Sequence, residues 1–389
     1  MTRRIFSPRR ALAAAAAGMA LLTLATPALA DGPKVVNIIN FIRGVEPRAN
    51  VDLLDPVIKQ IQLAKAHNLP TTFLIQYDAL INPDFVNLLK SQLGPNDEIG
   101  AWLEVVQPQV ESAGLVWKGR WSWDYNTAVG LTEAYAVEDR KKLMDVYMAK
   151  FKDTFGYYPK SVGCWVLDAP TLNYLSDQYH IVAACNCKDQ SGTDGYTLWG
   201  GYWNQAYYPS RLNAFMPAQT AEQQLNVPVF RMLGSDPVYQ YDDGLGNERQ
   251  GVISLEPVYQ PGGGSPDWVR WFFNANFNAP CLNFAYTQAG QENSFGWPAM
   301  SAGLTDQYTL MQQQAGQGKI RVETLSQSGA WYRSNFDKTP ATAVTALSDF
   351  DNQGNRSIWY ERRYYRVNVS GECNAWRIRD LHVLYEQYP

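Results

Sequence analysis

The residues of this chain that could do chemistry are mostly carboxylates, and several directly follow a run of apolar residues. Asp168 ends the stretch GCWVLD, Glu104 lies in AWLEVVQP, and Glu256 follows the apolar run GVISL. Further acids in comparable positions are Asp189, Asp236 and Glu292. Hydrolysis of a glycosidic bond requires two carboxyl groups beside the bond, one protonated as the acid and one ionised as nucleophile or base. A group of acids at one opening could supply both, because burial and mutual repulsion separate their pKa values.

Four of these acids are candidate catalytic residues. We predict that Asp168 is the nucleophile or base and that Glu256 or Asp236 is its acid partner, with Glu104 as a further candidate. Three of the four also have a structural interpretation, whereas the position of Glu256 after an apolar run and before Pro257 favours function. Asp168 could cap a helix that has Pro170 in its first turn, a role that contributes about 1 kcal/mol. Glu104 could form a salt bridge with an arginine, and Asp236 could be a turn residue before a proline.

Aromatic side chains surround these acids in the sequence and could bind sugar rings. Indole and phenol rings can stack on the C–H faces of a sugar, while the sugar hydroxyl groups bond to polar side chains. The predicted substrate-binding residues are Arg43, Trp123, Trp165, Asp189, Gln190, Asp194, Trp199, Trp203, Tyr241 and Glu292. The alternative is that the aromatic rings pack loops against the core.

The elements that must position these residues alternate along the chain between strands and helices. Apolar runs such as KVVNIINFIRG, TTFLIQY, EIGAWLEV and SVGCWVL are separated by helical patterns, which predicts a parallel sheet. Further strands are predicted at IVAACNC, VPVFRML, GVISLEP and PCLNFAY. Seven or eight strands predict an α/β fold with a closed or nearly closed (β/α)7–8 distorted barrel over residues 31–321. Short alternating segments then predict a small antiparallel β segment over residues 322–389.

The predicted strand ends define one face of this barrel. In α/β barrels the active site lies at the carboxyl ends of the strands, because the loops there can vary without disturbing the core. The residues at the predicted strand ends are Arg43, Tyr77, Glu104, Asp168, Asp189, Asp236, Glu256 and Glu292. We therefore expect Asp168, Glu104, Asp236 and Glu256 to share one pocket.

The N-terminus has the composition of a secretory signal. Four arginines precede an apolar run that ends in TPALA, which predicts cleavage after Ala30 and removal of residues 1–30. The motif SPRRAL is compatible with the twin-arginine route, and a retained membrane anchor is the alternative. We expect an exported protein, periplasmic or extracellular, without stable membrane insertion.

Composition narrows the possible partners. The formal net charge is -4 and becomes -8 once the signal is removed, with 29 basic against 37 acidic residues. An acidic chain without a basic cluster is a poor binder of nucleic acid. Three histidines are too few for a histidine-rich metal centre, and five cysteines leave at least one thiol unpaired within a monomer. We predict no cofactor and no metal.

One long segment resembles a known superfamily. FGYYPKSVGCWVLDAPTLNYLSDQYHIVAAC is similar to the distorted barrels of NodB-type polysaccharide deacetylases and glycoside hydrolase family fifty-seven, over roughly Val35 to Gly290. The family fifty-seven pattern has a Trp and a nucleophilic Glu at this strand end, so the resemblance places Trp165 and Asp168 in those positions. The segments CKDQSGTDGYTLWGGYWNQAYYP and AGQENSFGW resemble a large uncharacterised bacterial family of exported proteins.

The chain departs from the deacetylase pattern at the metal ligands. Deacetylases bind a metal through an Asp pair after the first strand and two histidines after the third, where this chain has NFIRGVEP and AWLEVVQP. We therefore predict an exported, metal-independent glycoside hydrolase. The alternatives are a carbohydrate-binding protein on an inactive barrel and a metal-dependent polysaccharide deacetylase relative. A lyase or esterase lacks support because the chain has no GxSxG motif.

Overall fold

A computed structural model describes residues 31–187, 190–193, 196–198, 203, 205–239, 253–278 and 281–387. The predicted signal at 1–30 lies outside these ranges. Four of the predicted substrate-binding residues also lie outside them: Asp189, Asp194, Trp199 and Tyr241. Gln190 is in a described strand, but its side chain is not described.

The part of the chain before residue 188 alternates strands with helices. Its strands are β1 Lys34–Ile42, β2 Thr72–Ile75, β3 Glu98–Trp102, β4 Ser161–Cys164 and β5 Ala183–Cys187. Its helices are α1 Leu54–His67, α2 Tyr77–Leu80, α3 Pro83–Gln92, α4 Gln107–Ser112, α5 Thr127–Gly130, α6 Val137–Phe155 and α7 Ala169–Tyr179, with a 3-10 turn at Thr132–Ala134. β1 is buried along almost its whole length, as expected of a strand covered on both faces.

The rest of the chain completes the barrel and adds a second sheet. Its strands are β6 Gln190–Thr193, β7 Tyr196–Leu198, β8 Ala206–Tyr207, β9 Val229–Met232, β10 Ala285–Ala289, β11 Arg321–Glu323, β12 Thr342–Ala346, β13 Asn355–Arg362, β14 Tyr365–Glu372 and β15 Ala375–Val383. Its helices are α8 Pro266–Phe277, α9 Trp297–Gly316 and α10 Leu325–Asn335, with a 3-10 turn at Asn293–Phe295.

Eight of the described strands form one nearly closed barrel sheet in the order β10-β1-β2-β3-β4-β5-β9-β8, and β6 pairs with β7 in a separate two-stranded sheet. The pairings from β10 to β9 are parallel, whereas β8 adds antiparallel to β9 and β11 adds parallel to β1. Beyond β9, the Leu233 N–H donates to Gln288 Oε1 of β10 at 3.0 Å. The predicted distorted barrel with parallel strands is therefore confirmed.

Aromatic side chains fill the barrel interior. Phe41 stacks on Trp102 with ring centroids 4.2 Å apart, and Trp165 contacts both rings edge-on at 5.1 and 5.5 Å. Gly163 in β4 makes room for this packing, because a Cβ there would lie 2.6 Å from Cys185 Sγ. The strands therefore enclose a packed core rather than a pore.

The C-terminal antiparallel sheet forms as predicted but begins later than residue 322. The strands β12, β13, β14 and β15 pair in chain order from Thr342 onward. Before them in the chain, β11 pairs with β1 of the barrel. Helix α10 packs against the barrel, and Asn37 Nδ2 of β1 donates to Ser328 Oγ of α10 at 2.8 Å. No described helix is long and apolar enough to span a membrane.

The prediction of a strand at GVISLEP is wrong for residues 253–257, which are the part of it that the structure describes. They contain one isolated bridge, Ser235 to Ser254, instead of a strand. The backbone is held by loop contacts, since the Leu255 N–H donates to Gly234 O and Gly263 N–H donates to Ser254 O. Glu256 therefore does not end a barrel strand.

Candidate active site

Arg43 joins the ends of three barrel strands at the carboxyl face. It follows β1, is 1% exposed, and donates from Nε and Nη2 to the two oxygens of Glu104 at 2.9 and 2.7 Å. Its Nη1 donates to Glu292 Oε1 at 2.8 Å. Glu104 follows β3 and Glu292 follows β10, so two of the predicted strand-end acids meet at one guanidinium. Burial opposes the charged form of Arg43, but Glu104 and Glu292 outweigh it and raise the pKa of the guanidinium.

Glu104 and Glu292 have different surroundings although they share a cation. Glu104 accepts three N–H bonds, two from Arg43 and one from Gln76 Nε2 at 3.1 Å, which stabilise a carboxylate. Glu292 Oε1 accepts bonds from Arg43 and Ser294. Its Oε2 is buried and has no hydrogen-bond partner among the described residues. Burial raises the pKa of Glu292.

Asp78, next to the end of β2, is a further buried acid of this face. Its Oδ1 accepts the Gly44 N–H at 3.1 Å and the Ala79 N–H at 2.7 Å. Its Oδ2 is buried and lacks a partner in the described part of the chain. Burial, with a smaller contribution from the charge of Glu104, raises the pKa of Asp78 to about 7.

Trp123 covers this group of charges. Its ring centroid lies 4.2 Å from the Arg43 guanidinium carbon, within the range of a cation–π interaction. The loop is held by Asp124, which accepts bonds from Arg120 Nε and Nη2 at 2.9 Å and from two backbone N–H groups. The Arg120 hydrogen bonds lower the pKa of Asp124 strongly.

A narrow cleft opens above Glu104. Its lining residues are Glu104, Trp123, Asp124, Tyr125, Thr127, Gly130, Leu131 and Trp165. Its volume of about 10 Å³ holds about one water molecule, because Trp123 lies across it. A cleft of this volume is too small for a sugar ring.

Glu133 was not predicted from the sequence and lies two residues beyond Leu131, which lines this cleft. It is half-buried, and its Oε1 has no hydrogen-bond partner among the residues described. Burial, followed by the charge of Asp168, raises the pKa of Glu133 to about 7. Burial and the charges of Glu104 and Glu133 together raise the pKa of the Cys164 thiol, so both acids are close to the end of β4. The sequence feature that could have identified Glu133 is an acidic residue within the largely apolar loop sequence GLTEAY.

Asp168 caps a helix, which is the structural alternative to the catalytic role predicted for it. It is the N-cap of α7, and its Oδ1 accepts the Thr171 N–H and Arg140 Nη1, both at 2.8 Å. Its Oδ2 accepts the hydroxyl groups of Thr132 and Thr171, both at 2.6 Å. Four donors occupy the carboxylate, and Asp168 does not line the cleft above Glu104.

The other predicted catalytic acids also lie outside the lining of that cleft. Asp236 Oδ1 accepts the Val238 and Tyr239 N–H groups at 2.7 and 3.1 Å, which is the turn geometry given as its alternative. Glu256 Oε2 accepts the Ser254 hydroxyl at 2.8 Å. Of the four predicted catalytic acids, Glu104 alone lines the cleft. A single pocket shared by all four stays a prediction.

Two of the predicted aromatic residues line the cleft and one does not. Trp123 and Trp165 line it, and the Trp165 indole N–H lacks a partner within the described ranges. Trp203 instead stacks on Trp359 of β13 with centroids 4.3 Å apart. It therefore packs a loop against the C-terminal sheet.

The residues at this face do not fit the metal site of a deacetylase. Within the described ranges, no three His, Cys, Asp or Glu side chains converge so that they could hold a metal ion. His67 and His180 lie at the carboxyl ends of α1 and α7, on the opposite side of the barrel. The guanidinium of Arg43 supplies the positive charge between Glu104 and Glu292 instead.

The sequence matches no family model and no curated protein. Solved structures match it through their fold. A protein from Parabacteroides distasonis, provisionally described as a glycoside hydrolase/deacetylase, has 14% identity and a TM-score of 0.64, over 91% of this chain and 86% of that one. This match confirms the predicted distorted α/β barrel fold.

Two weaker matches are provisionally described polysaccharide deacetylases. The protein from Mycobacterium smegmatis has 10% identity and a TM-score of 0.47, over 78% of this chain and 91% of that one. The protein from Pseudomonas aeruginosa PAO1 has 13% identity and a TM-score of 0.43, over 78% and 92%.

Proposed function

We propose that this protein is an exported, metal-independent glycoside hydrolase in which Glu104 and Glu133 are the pair of carboxyl groups. The observation that carries the proposal is the contrast between these two acids. Glu104 lines the cleft and is held by three N–H donors, which favour the carboxylate. Glu133 is near Cys164 at the end of β4, as Glu104 is, and its pKa is raised to about 7, so it can hold a proton at neutral pH. In glycosidases, differences of this kind between the environments of two carboxyl groups determine which is the base and which is the acid.

In this proposal the proton and the bond move as follows. Glu133 donates its proton to the glycosidic oxygen while the bond from that oxygen to the anomeric carbon breaks. Glu104 either attacks the anomeric carbon or takes a proton from an attacking water. Trp165 and a displaced Trp123 would contact the sugar ring. Arg43 acts as a positioning residue, because its bidentate contact fixes the Glu104 carboxylate.

The second candidate function is carbohydrate binding without catalysis. It is favoured by the bidentate salt bridge, which ties both oxygens of Glu104. Metal-dependent deacetylation is not proposed, because the residues at this face do not fit a metal.

Digestion of a panel of polysaccharides tests the proposal. We expect the mature protein to release reducing ends from one of them, equally well with and without a chelator. Glu104→Gln should lower turnover by roughly two to four orders of magnitude, as typical for loss of such a group. Glu138→Gln is the matched control, since that side chain is 76% exposed on α6. Binding of a glycan with no release of reducing ends would support the second candidate instead.

A further inference from the structure

The C-terminal sheet turns its apolar face away from the barrel. The strand register places Ile358, Val369 and Ile378 in one row across β13, β14 and β15. Tyr360, Val367 and Leu381 form the next row. We call this side the outer face, and it also contains Tyr365, Trp376 and Val383. Side chains of successive strand residues alternate between faces, so the residues between these belong to the inner face.

The inner face is the polar one, although it is buried. Arg366 Nε donates to Asp380 Oδ2 at 2.8 Å, and Asn368 Nδ2 donates to Ser357 Oγ at 2.7 Å. Trp359 lies on the side of the sheet that faces the barrel, and its indole N–H donates a hydrogen bond to Pro237 O at 2.8 Å. A sheet with one solvated face normally has the reverse pattern, apolar inside and polar outside.

The outer face is strongly exposed along β15, which is the edge strand. Trp376 is 47% exposed, Ile378 66%, Leu381 61% and Val383 69%. Contiguous exposed apolar side chains of this kind commonly mark an interaction surface. The row-by-row arrangement of aliphatic side chains is that of one half of a β-sandwich core.

We propose that the outer face packs on the outer face of a second copy of this chain. The area is that of a weak dimer: four strands about 4.8 Å apart and about eight residues long cover roughly 500 Å² in projection. This approaches the roughly 600 Å² per partner at the low end of specific interfaces. In a dimer with a two-fold axis the same surface serves both partners, so the apolar side chains of the outer face would pack on those of the second copy.

The charges of the outer face are compatible with this partner. Across the described strands β12 to β15 the register puts no carboxylate on it. Arg356 and Arg362 lie at its two ends, and their guanidinium carbons are 5.0 and 5.6 Å from the rings of Trp376 and Tyr365. The centre is therefore uncharged, as needed for sheet-on-sheet packing.

Sedimentation velocity of the mature protein over a range of concentrations tests the dimer. We expect a dimer at about 100 µM chain, dissociating on dilution because the interface is small. The double variant Ile378→Glu and Leu381→Glu should be monomeric throughout, with an unchanged melting temperature at low concentration. Val116→Glu is the control, because Val116 is 77% exposed in a loop outside the sheet. This variant should dimerise like the parent.

Three outcomes would overturn the proposal. They are a parent protein that stays monomeric at about 100 µM, a dimer that persists in the double variant, and a monomer that instead co-sediments with anionic lipid vesicles through the outer face. The last result would assign the face to a lipid surface. None of these outcomes depends on the proposed hydrolase activity.

Discussion

Arg43 is the residue on which the carboxyl face of the barrel depends. Its guanidinium is buried and ion-paired with Glu104 and Glu292, and Glu46 Oε2 lies 3.9 Å from Nη1. Three acids around one cation are tolerated in the interior only while the cation is present, since an unpaired buried charge is costly. Arg43 therefore both stabilises the fold and fixes Glu104.

Removing that cation should destabilise the protein strongly. We expect Arg43→Met to lower the free energy of unfolding by about 3 to 5 kcal/mol, because the mutation leaves buried carboxylates unpaired. Lys142→Met is the control, since Lys142 is 56% exposed and its pair with Asp139 contributes about 0 to 1 kcal/mol. Urea denaturation measures both. Equal losses in the two variants would contradict the role given to Arg43.

Asp78 should make stability depend on pH. Its pKa is about 7 in the folded protein, above the ordinary value of 3.8, so the folded state favours the protonated acid. The stability that this proton contributes is present below pH 4 and is lost as pH rises toward 7 and beyond. We expect Asp78→Asn to reduce the loss in urea midpoint between pH 5 and pH 8. An unchanged slope would show that Asp78 is not the group responsible.

Among the elements, the position at which α7 begins determines whether Asp168 is a helix cap or a strand-end acid. β4 ends at Cys164, so Trp165 lies at the barrel opening while Asp168 lies further along, where the helix begins. The prediction that Asp168 is a strand-end acid placed the strand end too late. The Arg140 ion pair and the Thr171 cap then account for both of its oxygens.

This interpretation predicts the opposite of a catalytic role for Asp168. Asp168→Asn keeps an oxygen for the Thr171 N–H but loses the charge that pairs with Arg140. We expect a loss of about 1 to 2 kcal/mol in unfolding free energy. Turnover should be retained at acidic pH, and its alkaline decline should shift to lower pH because the Asp168 charge no longer raises the pKa of Glu133. The exposed acid in the first turn of α3 provides the control, Asp84→Asn. A fall in turnover by orders of magnitude at unchanged stability would return Asp168 to the active site.

For the whole molecule, the fold could be predicted further than the site. Runs such as KVVNIINFI and TFLI are apolar because parallel strands are buried on both faces, and this pattern is visible in one sequence. Arg43, Glu104 and Glu292 could be predicted because they follow true strands. Glu256 could not be placed, because loop hydrogen bonds around Ser254 replace the strand that its apolar run predicts.

Glu133 could not be predicted for a different reason. Its raised pKa depends on burial and on Asp168, which is distant in sequence and is brought near by the start of α7. The orientation of the C-terminal sheet, with its polar face toward the barrel, could not be predicted from the sequence either. Period-two alternation shows that the two faces differ, but only the contacts of Trp359 show which face meets the barrel.

The pH dependence of kcat/KM on a glycan that the protein cleaves is the most direct test of the proposed carboxyl pair. Glu133 must be protonated to donate, and its pKa is about 7, so activity should fall as pH rises through 7. In Glu133→Gln this alkaline decline should disappear together with most of the turnover. The proposal would be contradicted if Glu133→Gln kept the parent's turnover and its alkaline decline, because the acid would then be another group.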